Sequence, residues 1–262
     1  MVIDKKKLLR FYGWSEDDSD PDIKACAKKA YADLCRTIAF SISSFDLDTE
    51  KYNNIKEEYK NKKETFRNDV DSYIVQRIEE LLGKPSEDTN GFDKWHKETC
   101  DGILKKAKKV HDAYKMDEAH NVQGVKGLFK TEEKNGEPLF HYGQAQKWLN
   151  MTFKNMMIAD VHNEEFVKIE KYLHIPIDKF IIDIAKKNNI SVEFISNDEN
   201  QKFRWKSKAW SRWLYEEYKS FQNALKDAFN KEIDEKNGNP LDWEFGAWIE
   251  ERKRQTDGQI TE

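Results

Sequence analysis

Residues 140–188 read FHYGQAQKWLNMTFKNMMIADVHNEEFVKIEKYLHIPIDKFIIDIAKKN, and the fold class follows from how their apolar positions recur. Ala145, Trp148, Leu149, Thr152, Phe153 and Met156 return at intervals of three and four, the spacing of one face of an α-helix. Lys147 falls about 100° around that helix from Trp148. It therefore sits at the edge of the buried face, in a row with Gln144, Met151, Lys154 and Ile158. Further on, Pro176 keeps the approach extended, and Ile177, Phe180, Ile181 and Ile184 resume the helical period. Asp178 heads that second helix, where a carboxylate accepts free N–H groups and meets the positive end of the dipole. A short third helix joins the two.

The flanking sequence carries the same period. Residues 1–13 read as a short helix, and Asp20-Pro21 supplies a cap and a first-turn proline for a helix reaching about Phe40. Its apolar set is Ile23, Ala27, Ala30, Tyr31, Leu34 and Ile38. Asp48 or Thr49 opens a longer helix that Gly83-Lys84-Pro85 ends, striped by Tyr52, Ile55, Tyr59, Phe66, Val70, Tyr73, Ile74, Ile78 and Leu81. Its other face alternates Lys and Glu, as a solvated surface does. SEDTNGFDKWHKE, from Ser86, follows a calcium-loop pattern until its twelfth position, which is Lys97 rather than a bidentate acid. It is read as a turn capping a helix from about Phe92 to Met116, with Trp95, Ile103, Leu104, Ala107, Val110 and Tyr114 inward.

Residues 117–139 are irregular and read as a linker or hairpin; Gly124 and Gly127 lack the GK[ST] of a phosphate loop. Downstream, SVEFIS offers one short strand, and the chain becomes helical again by about Lys208. Asn239-Pro240 starts a last helix with Leu241, Phe245, Trp248 and Ile249 on one face. These elements predict an all-α fold, a single globular unit of about eight helices. Within it, residues 1–130 and 139–252 form two packed halves, and 253–262 a polar tail.

Composition bounds the function. The 262 residues are 36% charged and 38% hydrophobic, and no apolar run approaches the roughly 18 residues of a membrane span. Three cysteines, Cys26, Cys35 and Cys100, are too few and too far apart for a disulfide framework or a zinc site. A reducing cytoplasm is the expected compartment. A net charge of −4 argues against a protein that coats nucleic acid nonspecifically, while leaving room for a local basic surface.

Two constellations carry candidate chemistry. In the first, a lysine at the edge of a buried face loses part of its hydration, which frees its amine to attack; alternatively it extends its charge to water. Beside it, a capping carboxylate stays ionised and can stabilise a developing cation. His141 and His174 flank this unit as candidates to line the same pocket, with hydrogen-bonded structural roles as the other reading. The second is KFRWKSKAWSR, where Lys202, Arg204, Lys206, Lys208 and Arg212 interleave with Phe203, Trp205 and Trp210. Cations meet phosphates and indoles stack on unpaired bases, although ordinary helices also turn aromatics inward and cations outward. No HExxH, GxSxG or paired Cys–His motif is present.

QKWLNMTFKNM and IPIDKFI, spanning residues 146–181, resemble a segment of the archaeal-type 8-oxoguanine DNA glycosylases of the helix-hairpin-helix glycosylase superfamily. In that family a helix beginning Gln-Lys or Asn-Lys carries the nucleophile, and a Pro-hydrophobic-Asp sequence carries the essential carboxylate about thirty residues later. Here the two are 31 residues apart. The resemblance implies that Lys147 attacks a sugar C1′ and that Asp178 stabilises the oxocarbenium-like centre. A Schiff base follows, permitting strand cleavage. No Gly-x-Gly hairpin precedes Lys147.

The first expectation is thus a DNA-acting glycosylase or lyase whose amine and carboxylate converge on one aromatic-walled cavity. Gln144, His141, Trp148, His174, Arg204, Trp205, Lys208, Trp210 and Arg212 are its substrate-binding candidates. DNA or a nucleobase is the expected partner; no cofactor or metal is implied. The alternative is a non-catalytic helical protein that binds a nucleotide, nucleic acid or protein through its basic, aromatic C-terminal half.

Overall fold

In the computed structural model the described residues are 14, 21–85, 88–115, 125, 127–133, 136–190, 192, 208–235 and 238–258. They form eight α-helices: α1 (Ile23–Leu34), α2 (Lys56–Gly83), α3 (Thr89–Lys115), α4 (Tyr142–Ala159), α5 (Asn163–Phe166), α6 (Lys179–Lys187), α7 (Tyr215–Glu235) and α8 (Pro240–Gly258). Extended pairing among these residues is confined to two isolated bridges, Phe40 with Phe129 and Thr131 with Pro138. The fold is all-α, as the helical periods require. No helix among the described residues is long and apolar enough to cross a membrane.

The organising element is α4, packed against α1, α3 and α7 and against the 3₁₀ turn at Trp210–Arg212. Every α4 residue except Met151 and Met157 is buried. Small residues on α1, Ala27 and Ala30, let it approach α4 closely. There the Trp148 indole donates to the Ala27 carbonyl at 3.1 Å, and the Asn155 amide to the Cys26 carbonyl at 3.1 Å. Tyr59, Phe66, Val70, Ile74, Ile78 and Leu81 of α2 face inward as their spacing demands. One apolar core runs from Trp14 to Trp243 through these elements.

Several boundaries differ from the sequence-based expectation, each for a local reason. The cap of α1 is Asp22, whose carboxylate accepts from the Ala25 N–H at 2.7 Å, not Asp20. The helix stops at Leu34 rather than near Phe40. A 3₁₀ turn closes it, and residues 39–41 run extended to exchange backbone bonds with Leu128 and Lys130. The long helix begins at Lys56, after two 3₁₀ turns at Asp46–Asp48 and Glu50–Tyr52. Residues 130–133 and 136–139 pair as arms of a small hairpin, with Glu132 N–H donating to Glu137 and Leu139 N–H to Lys130.

Asp88 caps α3 through the Gly91 N–H at 2.7 Å, the turn-and-cap role expected of the calcium-like segment. Asn239 caps α8, accepting from the Leu241 and Asp242 N–H groups at 3.0 Å. That helix continues to Gly258, beyond Lys253. Helicity resumes at Tyr215 rather than Lys208, because residues 208–214 pack as a turn on the start of α4. The N-terminal helix, the SVEFIS strand except for Val192, and Arg204 and Trp205 lie outside the described residues.

Candidate functional site

Lys147 and Asp178 meet. The Lys147 ammonium donates to Asp178 Oδ2 at 2.9 Å, with the lysine side chain 6% and the aspartate 21% exposed. Asp178 Oδ1 accepts from the Ile181 N–H at 3.1 Å, so the carboxylate is at once the cap of α6 and the partner of the lysine. Burial pushes its carboxyl up. The Lys147 ammonium outweighs that, helped by the Ile181 N–H and by Lys154, and the carboxyl is held below its ordinary range. The lysine does not reach out to water. α4 lacks a wet side altogether, and the row expected to be half-exposed is buried from Gln144 to Ile158 except at Met151.

Two turns further along α4, a second ammonium is enclosed. Lys154 pairs with Glu244 of α8 at 2.6 Å, with side chains 5% and 1% exposed. The cation lies 5.9 Å and 5.7 Å from the ring centroids of Phe245 and Trp248. Trp248 in turn packs on Phe180, two residues past Asp178. This pair docks α8 onto the central helix.

On the side of α4 facing α3 and α7 lies a dry polar network. Tyr218 of α7 is its hub, accepting from the Asn150 amide at 2.9 Å and the Gln222 amide at 3.3 Å. With both lone pairs engaged, its O–H donates to His174 Nδ1 at 2.8 Å. His174 therefore carries its proton on Nε2 and donates to Asp93 Oδ1 at 2.7 Å, while Lys219 holds Asp93 Oδ2 at 2.6 Å. Asn150 Oδ1 accepts from His96 Nε2 at 2.8 Å, and His96 Nδ1 accepts from the Tyr142 hydroxyl at 3.1 Å.

Asn150 also donates to Gln146 Oε1 at 3.0 Å, and Gln146 reaches the Ile177 carbonyl at 3.4 Å. Burial drives both imidazoles down, so each is neutral near pH 7, and drives the Tyr218 phenol up. The His174 and Lys219 bonds overcome burial at Asp93 and keep it ionised. Sequence reasoning missed this network: His96, Asn150, Tyr218 and Gln222 sit singly on helices, and no spacing announces them.

The other expected site residues scatter. Gln144 is spent on structure, accepting from the His141 N–H at 2.8 Å and donating to the Thr37 carbonyl at 2.7 Å. Trp148 is fully buried between Tyr31 and Phe66 and presents no free face. His141, Gln144, Lys208, Ser211 and Arg212 line a hollow of about 620 Å³ at the start of α4, where Trp210 packs across Gly143. Burial lowers the His141 imidazole; Glu132 opposes this, and Lys208 and Arg212 reinforce it. Lys208 is held by both Glu217 oxygens at 2.6 Å.

His174 lies elsewhere, on a cavity of about 70 Å³ with Asp93, Lys219 and Gln222. It does not share a pocket with His141. A groove of about 650 Å³ between α6, α7 and α8 exposes edges of Phe229 and Trp243. Lys147 lines none of these three hollows. All three cysteines are free thiols. No group of three His, Cys, Asp or Glu side chains among the described residues is placed to hold a metal ion.

Comparisons with protein-family models, with curated proteins and with solved structures return no match to this chain.

Proposed function

We propose that the chain is a DNA N-glycosylase and lyase-like enzyme in which Lys147 is the nucleophile and Asp178 its electrostatic partner. The observation that carries the reading is their 2.9 Å contact, made between two elements by a lysine 6% exposed and a capping carboxylate. It matches what the resemblance of residues 146–181 implies. The contact is that of a resting state: the attacking species is the free amine, its proton released to water once the contact opens, so that Asp178 stays ionised to face the cationic centre.

Attack of Nζ on C1′ forms the N–C bond as the N-glycosidic bond breaks, its electron pair leaving with the base, which takes up a proton. The adduct loses one N–H proton, the C1′–O4′ bond breaks with its electron pair going to O4′, which takes up a proton, and the protonated imine remains on Nζ. Loss of a C2′ proton then expels the 3′ phosphate and cleaves the strand. Asp178 stabilises the cationic centre, and Lys208 and Arg212 at the start of α4 supply phosphate contacts. A substrate reaches the amine only when the Lys147–Asp178 contact opens.

The test is borohydride trapping on the full chain with duplexes holding 8-oxoguanine or an abasic site. A covalent adduct lost in Lys147→Ala supports the proposal; no adduct on any substrate overturns it. The enclosure of Lys147 favours a second reading, a non-catalytic helical protein that binds nucleic acid, a nucleotide or a protein at its basic hollow. Retention of DNA without an adduct, weakened by Arg212→Ala, is the result that favours it.

A further inference from the structure

The segment His174–Asp178 delivers the carboxylate to Lys147, and it lies outside any helix, its last residue being the extended cap of α6. A loop of five residues has no backbone ladder to hold it, so its position depends on what its groups bond to. Three residues anchor it. The His174 ring is gripped from both sides, by the Tyr218 O–H at 2.8 Å and by Asp93 at 2.7 Å. The Ile175 carbonyl accepts from Gln222, which also donates to Tyr218 at 3.3 Å. The Ile177 carbonyl accepts from Gln146, whose Oε1 is fixed by Asn150, and Asn150 donates to Tyr218 at 2.9 Å. All three tethers return to one phenol. Gln146 also precedes Lys147 directly on α4, so the same network holds the lysine's own turn.

We infer that Tyr218 is the positioning residue for the Lys147–Asp178 pair, setting the approach of carboxylate to amine through His174, Gln222 and Asn150 without touching either. Its hydroxyl is needed at full valence. Removing it takes one of two partners from each of the Asn150 and Gln222 amides and leaves the buried His174 Nδ1 without its donor, so that only Asp93 still grips the ring. The segment then loosens by an amount that need not unfold the protein. A displacement near 1 Å at reacting groups is enough to cost about 100-fold in rate. The consequence for turnover rests on the function proposed above; the consequence for the pair does not.

The experiment is Tyr218→Phe in the full chain, read two ways. First, the Asp178 carboxyl is titrated by carbon-13 NMR, since the groups facing it, Lys147 and Lys154 of α4, hold it down only at close range. In the variant its midpoint rises toward the ordinary carboxylate range, and the His174 Nδ1 signal shifts as it loses the Tyr218 donor while Nε2 keeps its proton on Asp93. Second, the rate of borohydride trapping falls roughly 10- to 100-fold while DNA affinity stays within about twofold, the pattern of lost positioning rather than lost binding. An Ile78→Val control in α2 corrects for general destabilisation. An unmoved Asp178 midpoint overturns the inference. So does a moved midpoint with an unchanged trapping rate.

If the wild-type chain traps nothing, the nucleophile reading fails and the titration alone decides the positioning. Gln222→Ala, which removes the Ile175 tether and leaves the Tyr218 hydroxyl in place, provides the same two readouts should Tyr218→Phe not fold.

Discussion

Lys154→Met is the perturbation with the largest structural consequence. The replacement keeps the length and apolar stem of the side chain and deletes only the ammonium, leaving Glu244 at 1% exposure with no cation beside it. A carboxylate in that position loses the partner that compensated its desolvation. Breaking such a pair from one side costs about 3–5 kcal/mol. Departure of the cation from Phe245 and Trp248 adds to this, since a desolvated contact of that kind is worth up to about 2 kcal/mol. Against a total stability of about 5–15 kcal/mol this is a large share.

Removing both charges is a different experiment. Lys154→Met with Glu244→Leu fills the same volume without burying an ion, and comes out neutral or more stable than wild type by about 1–4 kcal/mol. Urea unfolding followed by tryptophan fluorescence on both single variants and the double closes the cycle, with the slope checked for constancy. A loss below about 1 kcal/mol in Lys154→Met would refute the reasoning, because the pair would then be hydrated in solution. A double variant no better than the single would refute it as well.

Asp71 of α2 is fully buried, neither oxygen makes a hydrogen bond of good geometry, and burial pushes its carboxyl up to about 6 against the pull of Arg67 and Trp148. Its folded-state affinity for a proton exceeds the unfolded one, so the penalty is absent below about pH 4, grows as pH rises, and is complete above about pH 6. Asp71→Asn should therefore stabilise the protein by about 1–2 kcal/mol at pH 7.5 and by nothing at pH 4, after discounting for screening by nearby cations; urea midpoints at the two pH values check it. Gly143→Ala places a Cβ 1.9 Å from the Trp210 carbonyl oxygen, a backbone atom that cannot swing away. A loss of about 1–3 kcal/mol is expected. Thermal melts that match wild type would show that the turn is not seated on α4.

Periodicity served well where one face of a helix meets the core and the other meets water, as on α2, whose predicted stripe is buried from Tyr59 to Leu81 except at the half-buried Tyr73. Caps were legible too when the acceptor stands directly before the helix, at Asp178 and Asn239. Asp20 misled because Asp22, two residues on, satisfies the same geometry and local sequence does not rank the two. On α3 the stripe was misplaced by its polar members. His96 and Cys100 occupy the centre of the buried face, and Trp95 and Leu104 its edges, because the partner groups that pay for a buried imidazole are Tyr142, Asn150 and Tyr218 on other helices. Tertiary satisfaction of this kind leaves no mark within one helix. The same limit explains Lys147 and Lys154, whose edge positions are dry only because α6 and α8 bring carboxylates to them.

The two ammonium pairs on α4 call for different explanations. Burying an ion pair seldom stabilises a fold relative to apolar residues, so each must be accounted for by something other than its own energy. Lys154 and Glu244 are both enclosed, bridge α4 to α8, and share the aromatic contacts that seat α8; docking accounts for both charges. Asp178 is accounted for without Lys147, since it caps α6 through the Ile181 N–H. Lys147 is the remainder. It is an ammonium drawn from water onto a carboxylate that already has a structural role, on a segment tethered at three points to a single phenol. What the contact does in the fold is join α4 to the first turn of α6, since the carboxylate that takes the ammonium also caps that helix.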